Sequence, residues 1–457
     1  MFVNTSHNKI IYFLIIIIVL ITCDLIAAKA SPQATFLNLG NGVTLVHQEI
    51  STAAVASVDV WVKAGSTSDP EQLLGMAHFL EHMIFKGTDL IAPGEFDLLI
   101  ESEGGISNAA TSNDYAHYKF TVDASRFAIT MPYLGQMLLH AKIDEDELEQ
   151  ERLVVLEELR QAIDDPDWLA YQHLIETAYG SHPYSRPVLG TEESVSKITA
   201  SQMCDYHRAH YRPENMTVAI AGAVSREEAI KVVDGAFASN TFDRNIDIFQ
   251  KNCVISIEDI FKVPAPRRHR ISLPRLQHSR LNFAWVGPSV ANLEDAIQLE
   301  LVSAILTEGR SARLVQELLE GFGWVQDIAS SFAVQQQTGL FTISAYLDED
   351  YLEPVENKII QQVTDLLNNP ISEAELNKAK RSLCNQFIFA LESPSQLASF
   401  LGYHSLLGCE TLCTDWSNTY CEIIRKVQPS GLQSLVKKYL SPENYVITYV
   451  VPESVRD

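Results

Sequence analysis

The sequence predicts an α+β protein of two similar domains, each a sheet packed with helices. Three observations carry this. The chain has 457 residues, whereas single hydrophobic cores stop growing at about 250–300 residues. Stretches with strand character and stretches with helix character are interspersed along it. The order of elements in the first half recurs in the second, without the first half's histidine motif.

Taken in order, Val43-Thr44-Leu45-Val46 and Ala54 to Val62 read as strands, rich in β-branched residues and bounded by Gly and Asp-Pro. Leu73 to Phe85 reads as a helix with apolar residues on nearly every face, hence buried. Tyr115 to Val122 alternates as a strand. Asp144 to Ile163 reads as a long helix, opened by acidic residues that suit its positive end and closed by Asp164-Asp165-Pro166, with a second helix through Tyr179. Met216 to Ala221 is an apolar strand. Beyond a stretch without clear periodicity come a strand at Leu281 to Val286, a helix at Asp295 to Leu306 and a further helix. A strand at Leu340 to Tyr346, long helices and a last strand at Asn444 to Val451 complete the chain. The reading divides it into a leader (1–30), a first domain (31–243), a linker (244–266) and a second domain (267–457).

The leader is different material. Lys9 precedes an uncharged apolar run from Ile10 to Ile21, too short for a membrane span of roughly 20 residues but suited to a signal-peptide core. Ala28-Lys29-Ala30 offers a small-x-small cleavage site, so export to a bacterial periplasm is expected, with an uncleaved anchor as the alternative. Loss of the leader removes Cys23 and leaves Cys204, Cys253, Cys384, Cys409, Cys413 and Cys421, whose pairing is not readable from sequence. A hydrophobic fraction of 46% is that of a globular protein, and a formal net charge of −24 argues against nucleic acid as partner. That acidity serves solubility, or else lines a chamber that attracts basic peptides.

The chemistry centres on His78-Phe79-Leu80-Glu81-His82. Two histidines four residues apart on a helix share a face, with Cβ atoms roughly 5–6 Å apart. Both imidazoles then reach one ion at Zn–N distances of about 2.0–2.1 Å. Glu81 can take a proton from a water that the metal acidifies to a pKa of about 7. These polar groups sit on an otherwise apolar helix, where burial without partners would cost several kcal/mol. Zinc needs a third protein ligand. Glu151 and Glu158, seven residues apart on the long helix, share a face, while Glu157 points about 100° away. Spacing alone leaves the third ligand open.

His78 to His82, followed by Phe85-Lys86-Gly87-Thr88, resembles the inverted zinc motif of the insulinase/pitrilysin peptidases. The similarity continues through Gly104-Gly105-Ile106-Ser107-Asn108-Ala109, Glu151 to Glu158, His182-Pro183-Tyr184 and Tyr211-Arg212-Pro213-Glu214-Asn215-Met216. It is greatest to the short two-domain branch that includes mitochondrial processing peptidase and bacterial relatives. The resemblance implies antiparallel sheets facing each other around a chamber, and a zinc endopeptidase holding one Zn2+. It implies Glu158 as third ligand beside His78 and His82, Glu81 and Glu151 as catalytic and supporting acids, and Asn108 and Ala109 as the place where substrate backbone adds as a strand. Phe85 is a candidate for a side-chain pocket. Members acting alone carry an arginine and, seven residues on, a tyrosine in the second half. Here Leu319 and Gln326 stand in those places, and Thr307-Glu308-Gly309-Arg310 replaces a glycine-rich turn. The expectation is therefore the metal-bearing half of a heterodimer whose partner supplies that pair. A non-catalytic scaffold and a peptide-binding chaperone are the competing readings.

Overall fold

The computed structural model describes residues 33–238, 266–274 and 276–453. The leader and all but the last residue of the expected linker lie outside them. The first half holds β1 (Thr35–Asn38), β2 (Thr44–Glu49), β3 (Val55–Val62), β4 (Ile106–Thr111), β5 (Ala116–Asp123) and β6 (Met216–Gly222). They form one six-stranded sheet in the order β1-β2-β6-β3-β5-β4. The second half holds β7 (Arg267–Leu273), β8 (Ser279–Gly287), β9 (Val325–Val334), β10 (Gly339–Leu347) and β11 (Val446–Pro452), in the order β7-β11-β8-β10-β9.

The two orders superpose from β2 onward. In each half the last strand inserts between two earlier ones, β6 between β2 and β3 and β11 between β7 and β8, and runs parallel to β2 and to β7 respectively. All other pairings are antiparallel. The expected antiparallel sheets are therefore mixed, because the final strand returns through the sheet's middle. Both faces of β6 are covered, so its residues are all buried, which is why it reads as an unbroken apolar run.

Six helices matter most: α1 (Met76–Ile84), α2 (Glu145–Asp164), α3 (Pro166–Tyr179), α4 (Ala200–His210), α5 (Leu293–Thr307) and α6 (Pro394–Leu406). In the first core, α1 and α4 pack on Leu45, Val58, Val60, Val218 and Ile220. In the second, α5 packs on Phe283, Phe341 and Ile343. The halves then trade helices. From the second half, α6 lays Leu397, Ala398 and Leu401 against Val46, Ala219 and Ala221 of the first sheet. From the first half, α3 lays Leu174, Ile175 and Ala178 against Ala284, Leu340 and Val446 of the second sheet. A Cβ on Gly402 would stand 2.2 Å from the Trp61 indole nitrogen, so only glycine lets α6 approach the first sheet this closely.

The sequence reading missed β1, β4, β7 and β9. β7 begins Arg-Arg-His-Arg and is exposed over much of its length; β9 lacks strict alternation between buried and exposed positions. Among the cysteines, Cys204, Cys384, Cys409 and Cys421 are thiols.

Burial lowers the pKa of His207 on α4 to about 4, against its ring nitrogen's 2.8 Å hydrogen bond to the Leu138 carbonyl. An unfolded histidine titrates near 6.5, so the unfolded chain takes up the extra proton and this contribution to stability is lost as pH falls from 6.5 toward 4. His207→Gln removes the titration. Its stability relative to wild type, measured by urea denaturation of metal-free protein, is expected to rise by roughly 2 kcal/mol between pH 6.5 and pH 5. A pH-independent difference would contradict the assignment.

Candidate metal centre

The sequence reading starts the histidine helix at Leu73; α1 begins at Met76. The Asp69 carboxylate explains the difference. It accepts hydrogen bonds from the Gly75 amide (2.8 Å) and the Ala77 amide (2.9 Å), satisfying N–H groups that a helix start leaves without partners. Gly75 is left-handed at φ 88°, and a Cβ there would stand 2.7 Å from the Leu189 carbonyl oxygen. The helix carrying the two histidines is thus fixed at its entry by one buried acid and one glycine.

Across it lies α2, running the opposite way. Glu151 meets Lys86 and His82, and Glu158 meets His82 and His78. The Nε2 atoms of His78 and His82 stand 3.6 and 3.3 Å from Glu158 Oε2. Ligand atoms about 2.0–2.2 Å from a tetrahedral ion are about 3.3–3.6 Å apart, so these spacings fit a metal better than a set of hydrogen bonds. One donor atom each from His78, His82 and Glu158 lies within 4.8 Å of the others. Two imidazoles and a carboxylate form a donor set typical of zinc sites that keep a position open for water or substrate.

Electrostatics point the same way. Burial by itself would lower the His82 pKa, but the Glu151 and Glu158 carboxylates on its two nitrogens outweigh that and push it up to about 9. Contacts with His78 first, then His82, hold Glu158 well below the usual carboxylate range. Burial would raise Glu151, yet His82 and Lys86 lower it. A field that holds a proton this firmly also favours a cation.

The other expected residues separate by role. Glu81 stands outside the donor set, and its Oε2 accepts a 2.6 Å hydrogen bond from the Thr111 hydroxyl on β4. Glu151 does not join the donors. It accepts from His82 Nδ1 at 2.8 Å and so orients the ring with Nε2 toward Glu158. An acid placed this way orients the imidazole from behind rather than standing among the donors. Asn108 is exposed and Ala109 half-buried on β4, the edge strand of its sheet. Phe85 is half-buried against Phe96 and Tyr118, with ring centroids 6.4 and 6.0 Å away, the placement of a packed aromatic. Glu157 pairs with Arg160 on the surface.

Similarity to known proteins runs over most of the chain. Residues 44–192 match the model described as insulinase (peptidase family M16), and residues 197–383 match the peptidase M16 inactive domain. The chain belongs to the M16 peptidase family. An uncharacterized zinc protease of Bacillus subtilis is 26% identical over 417 residues, covering 90% of this chain and 97% of that protein. A protein of Arabidopsis thaliana named "Probable mitochondrial-processing peptidase subunit beta" is 27% identical over 429 residues, covering 93% of this chain and 79% of its own. In fold, a protease from Helicobacter pylori superposes with a TM-score of 0.84 at 24% identity, over 92% of this chain and 100% of that one.

Within this M16 chain, sequence reasoning missed Asp69, Lys86 and Thr111 as parts of the site. Lys86 and Thr111 act across contacts between distant segments that no local spacing encodes, while Asp69 caps α1 from six and eight residues upstream. Asp69→Ala leaves two buried N–H groups without acceptors, an expected loss of about 1–3 kcal/mol in urea denaturation; an unchanged midpoint would remove Asp69 from its assigned role.

Proposed function

We propose that this chain is a zinc-dependent endopeptidase, holding one ion on His78, His82 and Glu158 and hydrolysing peptides or unfolded segments held between its two halves. The convergence of those three donors within 4.8 Å supports this reading, together with the zinc-protease names of the relatives. Bound zinc supplies Lewis acidity, which acidifies a water and polarises a peptide carbonyl. Glu81 does the proton work. Its Oε2 is tied to Thr111, which leaves Oε1 to take a proton from the attacking water and hand it to the departing amine nitrogen. Glu151 keeps the His82 Nδ1 proton in place, so that Nε2 offers its lone pair. Substrate backbone pairs with the edge of β4 at Asn108 and Ala109, as an added strand.

The chain acts as the metal-bearing half of a heterodimer. Leu319 packs against the second core, and Gln326 meets His278 Nδ1 at 2.7 Å, so neither offers a cation or phenol to a developing oxyanion. The leader reading adds that the enzyme is exported to a bacterial periplasm. Among the described residues no helix is long and apolar enough to cross a membrane. A scaffold role suits the fold equally well, since a complex III chain of Candida albicans superposes at a TM-score of 0.74. Retention of all three donors and of Glu81 favours the enzyme.

Zinc-loaded wild type and Glu81→Gln are each expected to hold one ion by metal analysis, and His78→Ala to lose it. Cleavage of an unstructured peptide, assayed with a homologous partner carrying the arginine–tyrosine pair, is expected to fall at least about 100-fold in Glu81→Gln. Wild-type rates in that variant would remove Glu81 as the base. Without the partner, the chain is expected to cleave poorly; strong turnover by the lone chain would defeat the heterodimer reading.

A further inference from the structure

Two hairpin turns, one from each half, meet next to the metal centre. The turn between β4 and β5 (112–115) follows Thr111, whose hydroxyl holds Glu81. The turn between β9 and β10 comes from the second half and carries Gln335-Gln336-Gln337, a run that the peptidase reading leaves without a role.

The contact is polar and specific. Asp114 Oδ2 accepts the Gln336 amide at 3.0 Å, and both Asp114 oxygens accept the Tyr184 hydroxyl at 2.8 Å. The Tyr184 hydroxyl oxygen in turn accepts the Gln337 amide at 3.0 Å. The Gln335 side chain donates to Asn113 Oδ1 at 3.1 Å and accepts from the Tyr179 hydroxyl at 3.2 Å. His182 meets the Gln337 side chain at 3.0 Å. Asn113, Asp114, His182 and Tyr184 are all buried, so each bond exchanged for nothing would leave a buried group unsatisfied.

The same turn is gripped from its own half. Ser66 and Thr67 donate their amides to the Ser112 and Asn113 carbonyls at 3.0 and 2.9 Å. A Cβ on Gly65 would stand 2.3 Å from the Asn113 carbonyl oxygen, so the turn lies directly on the chain there. β4 itself is an edge strand, paired on one side with β5. Beyond its pairing with Ala116 of β5, Thr111 is positioned by the turn it enters and by whatever clamps that turn.

We propose that docking of the Gln335–Gln337 turn onto Asn113, Asp114 and Tyr184 sets the end of β4 and, through the Thr111 hydroxyl, aims the Glu81 carboxylate. Asp114 and Tyr184 are positioning residues for the hydrolysis proposed above, and the inference rests on that reading. It gives the second half, which bears no metal ligand of this centre, an indirect part in the hydrolysis, acting through β4 and Thr111. It also assigns a purpose to His182-Pro183-Tyr184 and to the glutamine run.

The test is a coupling experiment on zinc-loaded protein with its partner. Tyr184→Phe is expected to keep its zinc and lose kcat by about 10- to 100-fold with little change in KM, the scale on which a misplacement of about 1 Å shows. Thr111→Val should lose kcat to a similar degree and Thr111→Ser should retain most of it. In the Thr111→Val background, Tyr184→Phe should add no further loss, because the link it acts through is already cut. Losses that multiply independently would overturn the proposal. A second arm needs no cleavage: amide hydrogen exchange across 106–111 should quicken several-fold in Tyr184→Phe. Unchanged exchange there would overturn the clamp even if the chain proves not to be a peptidase, whereas zinc-loaded wild type that fails to cleave with its partner would count against the peptidase reading alone.

Discussion

The site depends on one packing event, the antiparallel crossing of α1 by α2. Imidazoles and carboxylates on a helix as apolar as α1 are expensive to bury alone, and the crossing makes burial tolerable by supplying partners in register. One turn of α1 separates His78 from His82, and two turns of α2 separate Glu158 from Glu151. With the helices opposed, the upper acid lies across both rings and the lower acid reaches the back of His82 and the ammonium of Lys86. The result is a pair of acids with divided duties, one facing the ligand position and one holding a ring. A metal ion held there would displace the proton that His82 otherwise retains, which would link its affinity to pH through that ring.

The architecture around this crossing is a repeat whose copies are not independent. Each half buries one face of its sheet with its own helices and leaves the other to a helix from its counterpart, α6 on the first sheet and α3 on the second. Small residues make the exchange possible. Ala219 and Ala221 flatten the first sheet where α6 lies, and Gly402 brings that helix against Trp61. A polar bond seals the seam, from the Ser399 hydroxyl on α6 to buried Asp59 on β3 at 2.7 Å. Loss of metal ligands from the second half therefore does not free it to drift, because the first half needs its helix to cover β3 and β6.

Much of this was legible in the residues, and the failures have physical causes. Period and β-branching marked β2, β3, β5 and β6, and the acidic opening marked α2 to within a residue. The four- and seven-residue spacings placed the rings and the acids on single faces, and Glu157 did turn away to pair with Arg160. Spacing could not say which of two acids on one face would meet the rings, since that is set by the height at which two helices cross; only the family resemblance chose Glu158. The start of α1 was misread because Leu73 and Leu74 continue the apolar pattern while the stop signal is a carboxylate four residues upstream, at Asp69. Strands β7 and β9 were hidden for an opposite reason: edge strands with exposed, charged or small residues have no pattern to show.

The departure at Leu319 and Gln326 can be weighed against a shifted alignment, which would bring a nearby arginine into the missing role. Two stand close by in sequence. Arg313 is forked onto Glu375 at 2.7 and 3.0 Å, with both side chains largely shielded. Breaking that pair to serve a substrate would leave a shielded carboxylate without its cation, a heavier penalty than an exposed pair carries. Arg310 makes a similar fork with Glu320, but it is 87% exposed, and an exposed pair opens at little cost. It also follows Gly309, at φ 79° in the turn after α5, rather than standing on the helical face that holds Leu319. A shift of register thus yields one arginine already committed to the fold and one placed on a turn. On the proposed function, the cation comes from a second subunit rather than from either of these arginines.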